Sequence, residues 1–93
     1  MNNDQINNTS YYALPCGRQL EDYIDGRKLG FAVGSAMKYR FRAGKKDGES
    51  ADKDLAKFEH FVRFLSATHH GTVQAWRDAV DEEIERANKW DGQ

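Results

Sequence analysis

Apolar residues recur at intervals of three and four along most of this chain, and this spacing restricts the chain to α-helices. The clearest stripe consists of Leu55, Phe58, Val62 and Leu65, and Phe61 widens it. Residues at this spacing share one side of a helix, so the stripe predicts a helix that faces the core. The sequence has no comparable run of alternating apolar and polar residues that would indicate a β-strand.

Three further stripes predict three more helices. They are formed by Leu20, Tyr23 and Ile24 over residues 18 to 28, by Val33, Met37 and Phe41 over residues 30 to 43, and by Val73, Trp76, Val80, Ile84 and Ala87 after Thr72 as the N-cap. Gly44 matches the left-handed residue that commonly ends a helix. We therefore expect an all-α fold, a small antiparallel bundle or hairpin of three to four helices.

The length and composition limit what this chain can be. The 93 residues suffice for one domain, with residues 1–10 as a flexible polar leader and residues 11–93 as a single helical domain. Helical proteins of this size often associate to cover a wide apolar face, so we expect a homo-oligomer. The single Cys16 excludes an intrachain disulfide and fits a reducing compartment. No apolar run is long enough for a membrane span, so we expect no membrane partner and a cytoplasmic protein.

Positive charge gathers at the end of the second predicted helix although the chain as a whole has a net charge of −1. Lys38 and Arg42 are four residues apart and share a helix face, while Tyr39 and Arg40 point elsewhere. Lys45 and Lys46 follow in the turn. This cluster could bind a phosphate or a carboxylate through charge-assisted hydrogen bonds, or it could be a solvated helix end. The near-neutral total charge argues against general nucleic-acid binding.

Three other patterns indicate no established site. The run "AGKK" lacks the earlier glycine and the final hydroxyl of a phosphate-binding P-loop, because Tyr39 and Lys46 stand there. His60, His69 and His70 lack the spacing of a zinc site, so we expect no metal bound by histidine. A third pattern lies on the last predicted helix, where carboxylates could hold magnesium but are more typical of an exposed acidic face. These acids are Asp78, Asp81, Glu82 and Glu85.

The run "LGFAVGSAMKYRFRAGKKDGESADKDLAKFEHFVRFL", residues 29–65, resembles a family of small bacteriophage proteins of formerly unknown function. That family includes the atypical nucleotide kinase of T-seven-like phages, which works without a P-loop. The matching positions are Gly34, Lys38, Tyr39, Arg42, Ala43, Lys46, Asp54, Leu55 and Lys57. Members often have Asn after the glycine and an Asp-His-Tyr motif near the start, where this chain has Ser35 and Ser10-Tyr11-Tyr12.

The resemblance implies a nucleotide-binding protein that acts in the cytoplasm of an infected bacterial host. The implied activity is that of a nucleoside monophosphate kinase, with Mg²⁺ and a nucleoside triphosphate as cofactors. The residues expected to bind the nucleotide or its phosphates are Lys38, Arg42, Lys45, Lys46, Lys57, Tyr39, Tyr11 and Tyr12. Asp54 is the candidate for positioning a charge or a metal ion, and no catalytic residue is assigned.

Two alternatives remain open beside the kinase. The chain could be a non-enzymatic sponge that sequesters a cyclic or oligomeric signalling nucleotide as an anti-defence protein, since it offers no convincing general base. It could also be a protein-interaction module whose charged turn docks on an acidic partner. The three alternatives predict, in order, a turned-over nucleotide, a nucleotide recovered intact, and no nucleotide binding.

Overall fold

The computed structural model describes residues 11–45 and 50–93 and contains four α-helices in these ranges. They are α1 (Leu20–Gly26), α2 (Phe31–Arg42), α3 (Ala51–His69) and α4 (Val73–Lys89). No β-strand occurs within these ranges. Ala13 and Gln19 form an isolated antiparallel β-bridge. The predicted all-α fold is confirmed. The leader, residues 1–10, and the candidate Lys46 lie outside the described residues.

Local sequence signals account for the helix ends. The Thr72 hydroxyl accepts a hydrogen bond of 3.0 Å from the backbone N–H of Ala75, which confirms the predicted N-cap of α4. The Ser50 hydroxyl accepts a bond of 3.0 Å from the N–H of Asp52 at the start of α3. Gly44 has a φ of 84° just after α2, a left-handed conformation that glycine adopts without a steric penalty. This confirms its predicted role as the residue that terminates α2.

Helix α2 lies at the centre of the fold and contacts each of the other three helices. Its buried Met37 and Phe41 confirm the stripe predicted for this segment. The core around them is supplied by the inner faces of the other helices and by the segment before α1, through Leu14, Leu20, Tyr23, Phe58, Val62, Val80 and Ala87. No helix within the described ranges is both long and apolar enough to cross a membrane.

The start of α3 differs from the prediction in one position. Leu55, expected in the core, is 36% exposed, whereas Asp54 is only 1% exposed. Asp54, Phe58 and Val62 are spaced by four residues, so the carboxylate takes the inward position that the sequence pattern assigned to Leu55. The reason is tertiary, because Asp54 pairs there with Arg42 of α2.

Helices α1 and α2 approach closely at Gly34, which is buried. A Cβ added to Gly34 would lie 2.8 Å from the Cγ2 methyl of Ile24. Because this methyl belongs to a β-branched side chain, it has little freedom to move away. The absence of a side chain at residue 34 therefore lets α1 pack against α2.

Helices α3 and α4 are joined by an ion pair. Arg77 donates from Nε to Glu59 Oε2 at 2.6 Å and from Nη2 to Glu59 Oε1 at 2.7 Å. Arg63, on the same helix as Glu59, lies farther from it, at 3.9 Å. The hydrogen bonds from Arg77 lower the pKa of Glu59 below its ordinary value of 4.5. The bidentate geometry makes Arg77 the main partner of Glu59.

Replacing Gly34 should test the close approach of α1 and α2. Gly34→Ala should lower the free energy of unfolding by about 1 kcal/mol, because overpacking against Ile24 outweighs the gain in helix propensity. Gly26→Ala is the matched control, since a Cβ at Gly26 meets no atom within 4 Å. Urea denaturation should find Gly26→Ala as stable as the parent or slightly more stable. Equal stability of the two variants would contradict the close approach.

The Glu59–Arg77 pair should make stability depend on pH. Since the folded-state pKa of Glu59 lies below 4.5, its contribution is complete above that pH and is lost as the pH falls through the folded-state value. Glu59→Gln should cost about 0.5 to 1 kcal/mol near pH 7, and its stability should converge with that of the parent in acid. Thermal unfolding between pH 7 and pH 3 measures this, with Glu85→Gln as the control, since Glu85 is exposed on α4 and forms no ion pair among the described residues. If the difference in stability between Glu59→Gln and the parent stays constant over this pH range, the ion pair does not contribute as predicted.

Candidate functional site

An ion pair between Arg42 and Asp54 lies where the end of α2 meets the start of α3. Arg42 Nη2 donates to Asp54 Oδ1 at 2.7 Å, and Nε lies 3.2 Å from the same oxygen. The side chain of Arg42 is 17% exposed and that of Asp54 is 1% exposed. A cation in the last turn of one helix and an anion in the first turn of the next both interact favourably with the helix dipoles. Their hydrogen bond raises the pKa of Arg42, so the guanidinium stays charged.

Two tyrosines contact the arginine of this ion pair. Arg42 Nη1 donates to the hydroxyl of Tyr12 at 2.9 Å, which ties the segment before α1 to α2. The guanidinium carbon of Arg42 lies 5.1 Å from the ring centroid of Tyr39, and this ring stacks on Phe61 at 6.0 Å. Tyr39 was predicted to point away from Arg42, and that prediction is wrong. Because its donors engage Asp54 and Tyr12, Arg42 acts within the protein as a positioning residue.

Each tyrosine also has a lysine over its ring. Lys38 Nζ of α2 lies 5.7 Å from the ring centroid of Tyr12, and Lys57 Nζ of α3 lies 5.1 Å from that of Tyr39. Both lysines are exposed. Neither forms an ion pair with a carboxylate of residues 11–45 or 50–93. We call this group the lysine–tyrosine cluster, and its members are Tyr12, Lys38, Tyr39, Arg42, Asp54 and Lys57.

The chemistry of the cluster follows from this division of charge. Arg42 and Asp54 neutralise each other, so Lys38 and Lys57 carry the positive charge that a ligand would meet. A cation over an aromatic face is held by the ring quadrupole without losing its exposed donors. Two such ammonium groups can donate charge-assisted hydrogen bonds to the oxygens of a phosphate or a carboxylate.

Lys45 and Tyr11 lie apart from the cluster. Lys45 Nζ is 3.5 Å from the ring centroid of Phe41, and burial lowers the pKa of this lysine. Lys45 lines a cleft of about 440 Å³ between the end of α2 and α4, together with Arg40 and Asp81, which form an ion pair at 3.4 Å. Tyr11 is half-buried, and its side chain forms no hydrogen bond or ring contact with the described residues. The basic residues predicted as one site therefore divide between two sides of α2.

The acidic and histidine patterns form no metal-binding group. Within residues 11–45 and 50–93, no three His, Cys, Asp or Glu side chains lie close enough together to hold a metal ion. Asp81 pairs with Arg40, and His60 packs edge-on against Phe61 with 5.0 Å between the ring centroids. Asp81 thus links α4 to α2, and His60 packs within α3.

Sequence reasoning missed the most exposed large apolar side chain near the cluster. Phe31, the first residue of α2, is 80% exposed, and its ring meets that of Phe61 edge-to-face with 5.7 Å between the centroids. A shallow groove of about 190 Å³ connects it to the cluster, lined by Glu21, Ile24, Gly30, Phe31, Gly34, Ser35 and Lys38. The sequence spacing could have indicated this groove, because Phe31 and Lys38 are seven residues apart and residues at that distance lie on the same face of a helix.

Residues 18–63 match the model of a family described as a protein of unknown function, DUF3310. The matched range contains α1, α2 and most of α3, and with them all members of the lysine–tyrosine cluster except Tyr12. The description assigns no activity to the family. No curated protein and no solved structure matches the chain. The fold and the comparison thus define an α-helical protein with a DUF3310 domain over residues 18–63.

Replacing Asp54 should show how much the ion pair contributes to stability. Asp54→Asn should lower the free energy of unfolding by about 3 kcal/mol, because it leaves the largely buried Arg42 without a counter-charge. Asp52→Asn is the matched control, since Asp52 is an exposed acid in the same first turn of α3. The control should cost less than about 1 kcal/mol, the contribution of an acid to the helix dipole. Equal losses in chemical denaturation would mean that the ion pair adds nothing.

Proposed function

We propose that this protein binds a nucleotide through its phosphate groups at the lysine–tyrosine cluster. The observation that supports this most directly is the pair of exposed ammonium groups, Lys38 and Lys57, that have no carboxylate partner among the described residues. Phosphate oxygens would be their natural acceptors. Arg42 would not bind the phosphate itself. It would hold Tyr12 and Tyr39 in place beneath the two lysines.

The resemblance to the phage proteins supports the same ligand. Of the positions that carry it, Lys38, Tyr39, Arg42, Asp54 and Lys57 come together in the cluster. A site of this kind could serve a kinase, because phosphoryl transfer depends largely on positioning and on neutralising charge on the transferred group. The reaction we propose is the transfer of a phosphoryl group from a nucleoside triphosphate to a nucleoside monophosphate in the infected cell.

Magnesium enters this proposal with the triphosphate. The described side chains do not fit a resident metal ion, since no three metal-ligating groups among them converge and Asp54 is paired with Arg42. Mg²⁺ commonly keeps several waters and takes further oxygens from substrate phosphates. A chain of 93 residues has little room for two nucleotides, so the proposal includes a homo-oligomer whose subunits share the site.

The sponge is the second candidate function, and one observation favours it. The single carboxylate of the cluster, Asp54, is 1% exposed and engaged by Arg42, so it is poorly placed to accept a proton from a substrate hydroxyl. Binding without turnover needs only the lysines and an aromatic surface. A cyclic or oligomeric signalling nucleotide would satisfy the same donors.

Replacing the lysines one at a time tests the binding site. Lys38→Ala and Lys57→Ala should each weaken binding of a nucleoside triphosphate about tenfold or more, because each removes a charge-assisted hydrogen bond. Isothermal titration calorimetry with a panel of mono-, tri- and cyclic nucleotides measures this. Lys53→Ala is the matched control, an exposed lysine on α3 outside the cluster. Equal affinities in all three variants would rule out the cluster as the binding site.

Chromatography of mixtures that contain both a nucleoside monophosphate and a nucleoside triphosphate separates the two candidate functions. A diphosphate product that appears with the parent and falls steeply with Lys38→Ala would establish the kinase. Recovery of the bound nucleotide intact, with and without Mg²⁺, would establish the sponge. Thermal shift offers a first screen, since a ligand at 100 times its dissociation constant should add about 2.7 kcal/mol to the stability. The absence of any shift would favour the interaction module.

A further inference from the structure

Phe31 presents its ring to solvent beside the lysine–tyrosine cluster. The side chain is 80% exposed, more than Phe64 at 48% or Leu55 at 36%. Its ring is nevertheless held in place, because it meets Phe61 edge-to-face with 5.7 Å between the centroids. Phe61 in turn stacks on Tyr39. The exposed ring is therefore supported by Phe61, which also packs against Tyr39 of the cluster.

The groove between Phe31 and Lys38 could accommodate a small ligand. Lys38 lies seven residues after Phe31, so the two share a face of α2 and are separated by about 10 Å along its axis. Gly34 and Ser35 line the groove between them. Gly34 has no side chain, and the space beside it is filled by the Cγ2 methyl of Ile24, which also lines the groove. The groove thus has an aromatic face at one end and an ammonium group at the other.

We propose that the base of the bound nucleotide stacks on Phe31 while its phosphate is bound by Lys38. This inference rests on the proposed function, which concerns the phosphates, and adds a binding surface for the base. Aromatic side chains accept any base, since every base has a π face. Ser35 and Glu21 line the groove between the two ends, where the Ser35 hydroxyl can donate and the Glu21 carboxylate can accept hydrogen bonds from sugar hydroxyls.

The tyrosines of the cluster are less suited to stack on a base. The ring of Tyr39 is covered by Phe61, Arg42 and Lys57, and the ring of Tyr12 carries Lys38. A base would have to compete with these contacts for the ring faces. Among the described residues, the ring contact of Phe31 is the edge-to-face one with Phe61, and its side chain is 80% exposed. The exposed phenylalanine, rather than Tyr12 or Tyr39, is the stacking surface.

A second groove on the other side of Phe31 provides the control. It has a volume of about 300 Å³ and a largely apolar lining that includes Leu29, Phe31, Val33 and Phe64. Phe64 is exposed like Phe31, but it does not line the groove that leads to Lys38. A role in stacking should therefore distinguish the two phenylalanines, whereas a role in protein association should involve both.

The test compares nucleoside monophosphates with ribose 5-phosphate, which has the same sugar and phosphate but no base. Phe31→Ala should lower the affinity for the monophosphate that binds most tightly by roughly 5-fold to 150-fold, the loss expected for one stacked base. Its affinity for ribose 5-phosphate should stay unchanged, because Lys38 is intact. Phe31→Trp should restore monophosphate binding, and Phe64→Ala should bind like the parent. Calorimetry measures the affinities, and circular dichroism confirms that each variant is folded.

The outcomes that overturn the inference differ from those that overturn the proposed function. If the parent binds the monophosphate and Phe31→Ala binds it equally well, the stacking surface is wrong while the phosphate site stands. If Phe31→Ala and Phe64→Ala lose affinity together and both dissociate an oligomer in sedimentation velocity, Phe31 belongs to a protein interface. If the parent binds neither nucleotide nor ribose 5-phosphate, the proposed function fails and the inference fails with it.

Discussion

The ion pair between Arg42 and Asp54 fixes how the end of α2 meets the start of α3, and the candidate site is arranged around it. A buried ion pair adds little net stability compared with apolar packing, because both charges lose their hydration. It is nevertheless a strict constraint, since either charge left alone in this environment would be costly. Helices α2 and α3 therefore meet in the register that brings the carboxylate to the guanidinium. The same register stacks Tyr39 on Phe61, and the remaining donor of Arg42 holds Tyr12.

Most of the fold was predictable because its determinants are local. The apolar stripes of α2 and α4, the N-cap at Thr72 and the left-handed Gly44 depend on residues a few positions apart. The start of α3 was not predictable in this way. Leu55 continues the stripe by a step of three and Asp54 by a step of four, and both steps fit a helix. Only the partner of Asp54 on another helix decides between them, and the spacing within α3 contains no information about that partner.

The candidate site was predictable only where its determinants are local. Lys38 and Arg42 share a face of α2, as their spacing indicates, but their roles differ: Arg42 is engaged within the protein while Lys38 remains exposed. Lys45 follows the end of α2 and packs on Phe41 instead. Phe31 lies outside the apolar stripe of α2, and that stripe does not indicate that its ring is presented to solvent beside Lys38. Which residues remain exposed depends on how neighbouring helices cover each face, and a single helix does not specify that.

The division between arginine and lysine suits the binding role that we propose for this protein. A planar guanidinium matches a carboxylate with two parallel hydrogen bonds, so Arg42 is the better residue for the fixed internal contact. An ammonium group on a flexible stem acts as a strongly hydrated point charge, so Lys38 and Lys57 can follow a mobile phosphate, but they confer little selectivity. Lysines alone would bind many anions with similar affinity. An aromatic surface such as Phe31, on the same face of α2 as Lys38, would distinguish a nucleotide from a simple phosphate because only the nucleotide has a base to stack.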